Sequence, residues 1–144
     1  MILDKLATFV HNAAINTMAA GSTVVGSIWD TTKNKDLANV SGRVEIRITQ
    51  DATSGGAATL AYELLTSNAA DMSSPTVLWS SGPVPLASLK AGNLHSSFSF
   101  PAQGQLRYLA MRQVTGTAAF TGGKVDISYV HNGRNYAVPK VALI

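Results

Sequence analysis

The sequence predicts an all-β fold, an antiparallel sandwich or barrel. Three observations carry that expectation. Apolar and polar residues alternate with period two in segment after segment, which is the pattern of strands with one buried and one solvated face. Clusters of Gly, Pro, Asn and Ser separate most of these segments and supply turn chemistry. Long stretches of helical periodicity, which an α/β plan would require, do not recur.

Arg43-Val-Glu-Ile-Arg-Ile-Thr49 is the clearest strand. Val44, Ile46 and Ile48 point one way, and Arg43, Glu45, Arg47 and Thr49 the other. Asp51-Ala-Thr-Ser-Gly-Gly56 then reads as a turn, followed by a strand over 59–65 with Leu60, Tyr62 and Leu64 on one face. The two segments are expected to pair as a β-hairpin. Further strands are expected at 22–28, 76–80, 94–100, 106–114 and 124–130, the last with Val125, Ile127 and Tyr129 on one face. Thr121-Gly-Gly123 reads as a hairpin turn, and Leu86-Ala-Ser-Leu-Lys90 as a turn of helix.

The 144 residues make one β-sandwich domain, 1–144, with no internal repeat or linker. Residues 1–20 are expected to form an N-terminal arm lying over the sandwich or over a neighbour. Residues 132–144 form a C-terminal tail whose apolar end, Val141-Ala-Leu-Ile144, is expected to dock rather than hang free. No positive charge precedes the apolar start of the chain, and Asp4, His11 and Asn12 interrupt it, so a signal peptide is not expected. No stretch reaches the ~18 apolar residues of a membrane span.

Composition narrows the function. Charged residues make up 13% of the chain, about half of the ordinary ~25%. Ala, Ser, Thr and Gly take their place, which suits a surface that packs against neighbours. The net charge of +3 comes from scattered bases with no basic run, so nucleic acid is not an expected partner, nor is a membrane. The absence of Cys removes disulfides, thiolate metal sites and Cys nucleophiles.

Catalytic constellations are also wanting. There is no Gly-x-Ser-x-Gly elbow, and His11, His95 and His131 show no telling spacing to Ser or Asp. The eight acidic residues do not cluster as metal ligands. Asp51 and Asp71 read as turn residues, and Glu45 and Glu63 as partners in cross-strand charge pairs with Arg43 or Arg47 or as close neighbours of each other. Thr53-Ser-Gly-Gly56 does not open a helix with Lys-Ser/Thr, so it is not a phosphate loop. His95 is expected on a strand edge or surface. Trp29 and Trp79 are expected in the core or an interface rather than on a stacking platform. The reading is of a non-enzyme without cofactor or metal.

An ordered set of short motifs then points to a family. They are Met1-Ile-Leu-Asp4, Ser54-Gly-Gly-Ala-Ala-Thr-Leu60, Leu65-Thr-Ser-Asn68, Ser73-Ser-Pro-Thr76, Ser81-Gly82, Leu86-Ala-Ser-Leu89, Ala91-Gly92, Arg107-Tyr-Leu109 and Phe120-Thr-Gly-Gly-Lys-Val125. In order and spacing, from the N-terminus to about residue 130, the chain resembles the capsid cement proteins of short-tailed bacteriophages. The Lys33-Asn-Lys35 loop and the C-terminal tail depart from the resemblance. The resemblance implies a jelly-roll sandwich made in the bacterial cytoplasm and placed on the outer surface of the virion's icosahedral shell. It implies the major capsid protein as partner and a homo-oligomer, a dimer with a trimer as the other option. It brings no catalytic residues.

Expected partner-binding anchors are Ile2, Leu3 and Phe9 on the arm and Tyr136, Val138 and Leu143 on the tail. Arg134 and Lys140 are expected to pair with shell carboxylates. Two other classes compete. One is a carbohydrate- or receptor-binding sandwich of a virion appendage, which would need an exposed aromatic such as Trp29. The other is a hydrolase relying on His95 or Glu63.

Overall fold

A computed structural model of the chain describes residues 8–32, 42–99, 101 and 104–131. Nine strands appear among them: β1 (Thr8–Ala14), β2 (Gly21–Asp30), β3 (Gly42–Ser54), β4 (Thr59–Ser67), β5 (Thr76–Ser80), β6 (Val84–Pro85), β7 (Leu94–Phe98), β8 (Tyr108–Gly116) and β9 (Phe120–His131). A 3-10 turn, Leu86–Ser88, stands where the sequence placed a turn of helix.

The strands form two antiparallel sheets in the orders β1-β9-β3-β7 and β2-β8-β4-β5, with the short β6 also pairing with β4. The chain changes sheet at every step from one strand to the next except from β4 through β5 to β6, which stay in one sheet. That order is the double Greek key of a jelly roll. The fold class is therefore the expected one.

Alternation builds the core. Val44, Ile46 and Ile48 of β3 face Leu60, Tyr62 and Leu64 of β4, all almost fully buried. Leu109 and Met111 of β8 and Val125 and Ile127 of β9 extend the same layer. Each such side chain contributes about 1.5–3 kcal/mol by leaving water. Sheet β2-β8-β4-β5 also has a small second cluster on its outer face, where Met72, from the loop after β4, covers Leu65 and Ala110.

The two sheet edges are closed by aromatic pairs. Phe9 of β1 stacks on Trp29 of β2 with centroids 3.8 Å apart and planes 6° apart. At the opposite edge Phe98 of β7 stacks on Trp79 of β5 at 4.0 Å and 22°. Each stack joins an edge strand of one sheet to the facing edge strand of the other. Trp29 is thus buried in the core and Trp79 half-buried against it, within the expected core or interface placement.

Three expectations need correction. Residues 8–14 are not part of an arm over the sandwich: they are an edge strand, paired with β9 from Thr8↔Ser128 to Ala14↔Lys124. Phe9, Val10 and Ile15 supply its core contacts, so burial fixes it. The 43–49 and 59–65 segments do not form a hairpin, because β3 pairs with β7 and β9 whereas β4 pairs with β5, β6 and β8. β3 runs 13 residues, to Ser54, and its register against β9 shifts at Gln50 and Thr53. Bulges of this kind bend a strand and let Gly55–Gly56 turn the corner between sheets. Thr121-Gly-Gly123 lies inside β9 and is no turn. Gly123 has φ +120°, and a Cβ there would stand 2.9 Å from the Ala52 Cα, so the glycine lets β9 pass close over β3.

Two polar and steric devices hold β1 and its loop against the second sheet. Gln113 points into the core, where its Oε1 accepts from the Asn16 N–H at 3.0 Å. Its Nε2 donates to the Asn16 carbonyl at 3.0 Å and to the Thr115 hydroxyl at 2.9 Å. The side-chain amide thereby pairs with a backbone residue as a neighbouring strand would. Gly26 has φ +71°, and a Cβ there would meet the Phe9 carbonyl oxygen at 2.1 Å.

Replacing Gln113 with Leu leaves the Asn16 backbone groups unpaired and is expected to destabilise the fold by about 2–3 kcal/mol. Gly26→Ala is expected to cost at least ~2 kcal/mol from strain and displacement of β1. Chemical denaturation of both variants measures this, and wild-type midpoints would show that β1 is held some other way.

Candidate interaction surface

Register locates one end of the sandwich that collects several features. Thr8 pairs with Ser128, and Gly42 pairs with His131, so the chain enters β1 beside the point where it leaves β9. The Phe9–Trp29 stack puts that end of the first sheet over the β2 residues paired with the start of β8. The segments 33–41 and 100–103 attach here too, after Thr32 and Ser99.

The same end carries exposed apolar side chains. Five large ones are exposed among the described residues: Val24, Ile28, Val77, Leu94 and Leu106. Ile28 precedes the Trp29↔Leu109 pair, Leu106 lies two residues before β8, and Val77 pairs with Leu65. Leu106 is fixed by its N–H donating to the Thr66 hydroxyl at 2.7 Å. These three residues come from three different segments and share one end of the second sheet.

Charges flank this end in neutralised pairs. Arg107 donates from Nε to Asp30 Oδ1 at 3.2 Å and from Nη2 to Oδ2 at 3.1 Å. Its hydrogen bonds, with those from Thr32, hold the Asp30 carboxyl well below the usual range. On the outer face of the first sheet Glu45 is buried between two arginines: Arg43 Nη2 donates to Oε1 at 2.7 Å and Arg47 Nε to Oε2 at 3.1 Å. Burial pushes the Glu45 carboxyl up, but the arginine hydrogen bonds outweigh it and leave it below its ordinary value. Glu45 does meet Arg43 and Arg47, but along its own strand β3 rather than across strands as expected. Glu63 pairs with Arg112 of β8, and Glu45 and Glu63 lie on different sheets.

The expected partner anchors divide into two groups. Ile2, Leu3, Arg134, Tyr136, Val138, Lys140 and Leu143 lie outside the described residues. Phe9 is described and is 2% exposed, so as an anchor it is corrected: stacking on Trp29 turns its ring to the chain's own core. Sequence reasoning missed Ile28, Val77 and Leu106. The 76–80 strand pattern does not fix which way Val77 points, and the alternation of 22–28 does not encode the register shift between Val25 and Trp29.

His95 sits on edge strand β7, as expected, but its ring turns inward. Nε2 lies 2.8 Å from the Leu60 carbonyl and Nδ1 2.8 Å from the Ser96 hydroxyl, and the ring edge meets Tyr62 at 5.3 Å. Among the described residues, no three His, Asp or Glu side chains come together as metal ligands. Asp71 accepts from the Ser73 N–H at 3.0 Å, as a turn residue does.

A sequence model of the Bbp16 family matches residues 9–129. The chain belongs to the Bbp16 family. Bbp16 is a phage-associated family, and the match spans the whole sandwich from β1 to β9. No curated protein matches the chain.

Acid is expected to destabilise the fold in two stages. Burial lowers the His95 pKa from its ordinary 6.5, against the opposing effect of the Leu60 carbonyl. The folded state thus favours neutral His95, and stability falls as pH drops from about 6.5 through the lowered folded value. Glu45 and Asp30 have lowered values, so their contribution is present above the ordinary carboxylate range and lost below it. Melting temperature against pH reads both stages, and His95→Gln should remove only the upper one.

Proposed function

We propose that this chain is a capsid cement protein. It binds the outer surface of a tailed-phage icosahedral shell and bridges adjacent major capsid subunits. It acts as a homo-oligomer, a dimer in the simplest case, and by surface burial rather than catalysis. One observation carries the reading within a phage-associated family: the exposed Ile28, Val77 and Leu106 share an end of the jelly roll with the attachment points of residues 1–7 and 132–144. Those two segments hold the apolar anchors Ile2, Leu3, Tyr136, Val138 and Leu143. An interface of roughly 1,000 Å² or more, which stable protein association needs, fits such a composite end better than any single pocket.

Co-purification with assembled capsids tests the reading. The protein should band with shells in a fixed ratio to the major subunit. Deleting 133–144, or making Ile28→Lys with Leu106→Lys, should weaken decoration by at least about tenfold with the melting temperature largely kept. An absent or substoichiometric band, or decoration indifferent to both variants, would overturn it.

A further inference from the structure

We propose that the cleft between β1 and β2 binds a small neutral molecule with an aliphatic body and one hydroxyl or carbonyl group, which hydrogen-bonds to the Tyr62 hydroxyl. This inference goes beyond the capsid reading and does not depend on it. The cleft runs from the Phe9–Trp29 stack towards Asn16 and includes none of Ile28, Val77 and Leu106.

Inward-facing positions along this edge are open. Ala13 pairs with Val125, and Thr23 and Val25 pair with Gln113 and Met111. Paired residues share a face, and all three partners are buried. Yet Ala13 is exposed, and Thr23 and Val25 are only half-buried. The Phe9–Trp29 stack closes one end of the edge, and beyond it a cleft of about 410 Å³ remains. Small-ligand pockets span about 300–1,000 Å³.

Tyr62 supplies an independent observation. It lies two strands in from the β2 edge, in one row with Gln113 and Thr23. It is 1% exposed and lines the cleft. A buried tyrosine hydroxyl ordinarily has a hydrogen-bond partner. Among the described residues this one has none. The ring edge meets His95, whose two nitrogens are taken by the Leu60 carbonyl and the Ser96 hydroxyl. Gln113 beside it commits its side-chain amide donors to the Asn16 carbonyl and Thr115. Burial alone acts on the phenol and pushes its pKa up. Among the described residues no fully buried side-chain oxygen lacks a partner. The Tyr62 hydroxyl is therefore not sealed in, and its small accessible surface opens on the cleft.

The walls fix the class of ligand. Val10, Ala13, Val24, Val25 and Val125 give an aliphatic lining. The Phe9 ring is 2% exposed and stacked on Trp29, so it offers no face to a sugar or a base. His11 stands at the rim, 66% exposed at its side chain and 3.3 Å from Asp126. A charged ligand would lose its hydration and find no free counter-charge in the lining. A neutral one needs only the apolar walls and the Tyr62 hydroxyl.

The test uses the full-length protein and cyclohexanol, with cyclohexanecarboxylate and cyclohexylammonium as charged counterparts. An NMR titration with cyclohexanol should give saturable shifts of the Val10, Val24, Val25 and Gly26 amides, with a dissociation constant of roughly 1 mM. Both ions should bind at least about tenfold more weakly. Tyr62→Phe should weaken cyclohexanol binding by at least about fivefold, with a melting temperature as high as the wild type, since no partner within the protein is lost. Ala13→Phe, which fills the cleft from an exposed position, should abolish the shifts with the fold kept. No saturable shifts, equal binding of the ions, or undiminished binding in Tyr62→Phe or in folded Ala13→Phe would overturn the proposal. A lowered melting temperature in Tyr62→Phe would overturn it too, because the hydroxyl would then be bonded within the fold. The titration uses no capsids, so its failure and that of the cement reading are distinguishable.

Discussion

The fold depends on closing two sheets over one another at both edges. Inner strands are held by ladders on either side, but an edge strand has neighbours on one side only. Here each edge of one sheet reaches across to the facing edge of the other through a pair of stacked rings, Phe9 on Trp29 and Phe98 on Trp79. Aromatic pairs bury large areas and add about 0.5–1.5 kcal/mol beyond that burial. In a chain with only ten aromatic residues, four Phe, four Tyr and two Trp, four of them serve this one purpose. Gln113 and Gly26 act at the β1–β2 edge as well: one supplies a surrogate strand partner to Asn16, the other removes the Cβ that would push Phe9 away.

Much of this was legible in the residues. Period-two alternation correctly gives the inward faces of the 43–49, 59–65 and 124–130 segments, because burial of one sheet face selects it. The 76–80 strand matches its observed bounds. What alternation does not encode is which sheet a strand joins. Gly55–Gly56 serves a corner between sheets as readily as a hairpin, so pairing of the two strands it connects could not be read locally. Gly122 and Gly123 misled for a related reason: glycine marks close backbone approach as well as turns.

The candidate surface was less legible than the fold. The apolar character of both chain ends is visible in sequence, but that Thr8 and His131, where they attach, lie at one end of the sandwich follows from β1 and β3 pairing with β9. Ile28, Val77 and Leu106 come from three segments and form a shared end only through sheet order. Phe9 shows the converse. An apolar residue near a terminus suits a partner interface or a core equally well, and only its stack with Trp29 decides between them.

The pairing of the first strand with the last also constrains how the molecule comes into being. Among the described residues β1 pairs with β9 alone, and β3 obtains its longest ladder from the same strand. Neither can be completed while β9 remains in the ribosome, so the first sheet assembles only once nearly the whole chain has emerged. Distant pairings of this kind slow folding, since loop entropy must be overcome before contacts reward it. Until β9 arrives, the apolar face of the second sheet has no cover, and a nascent chain truncated before Phe120 would be a candidate for aggregation rather than a smaller folded domain.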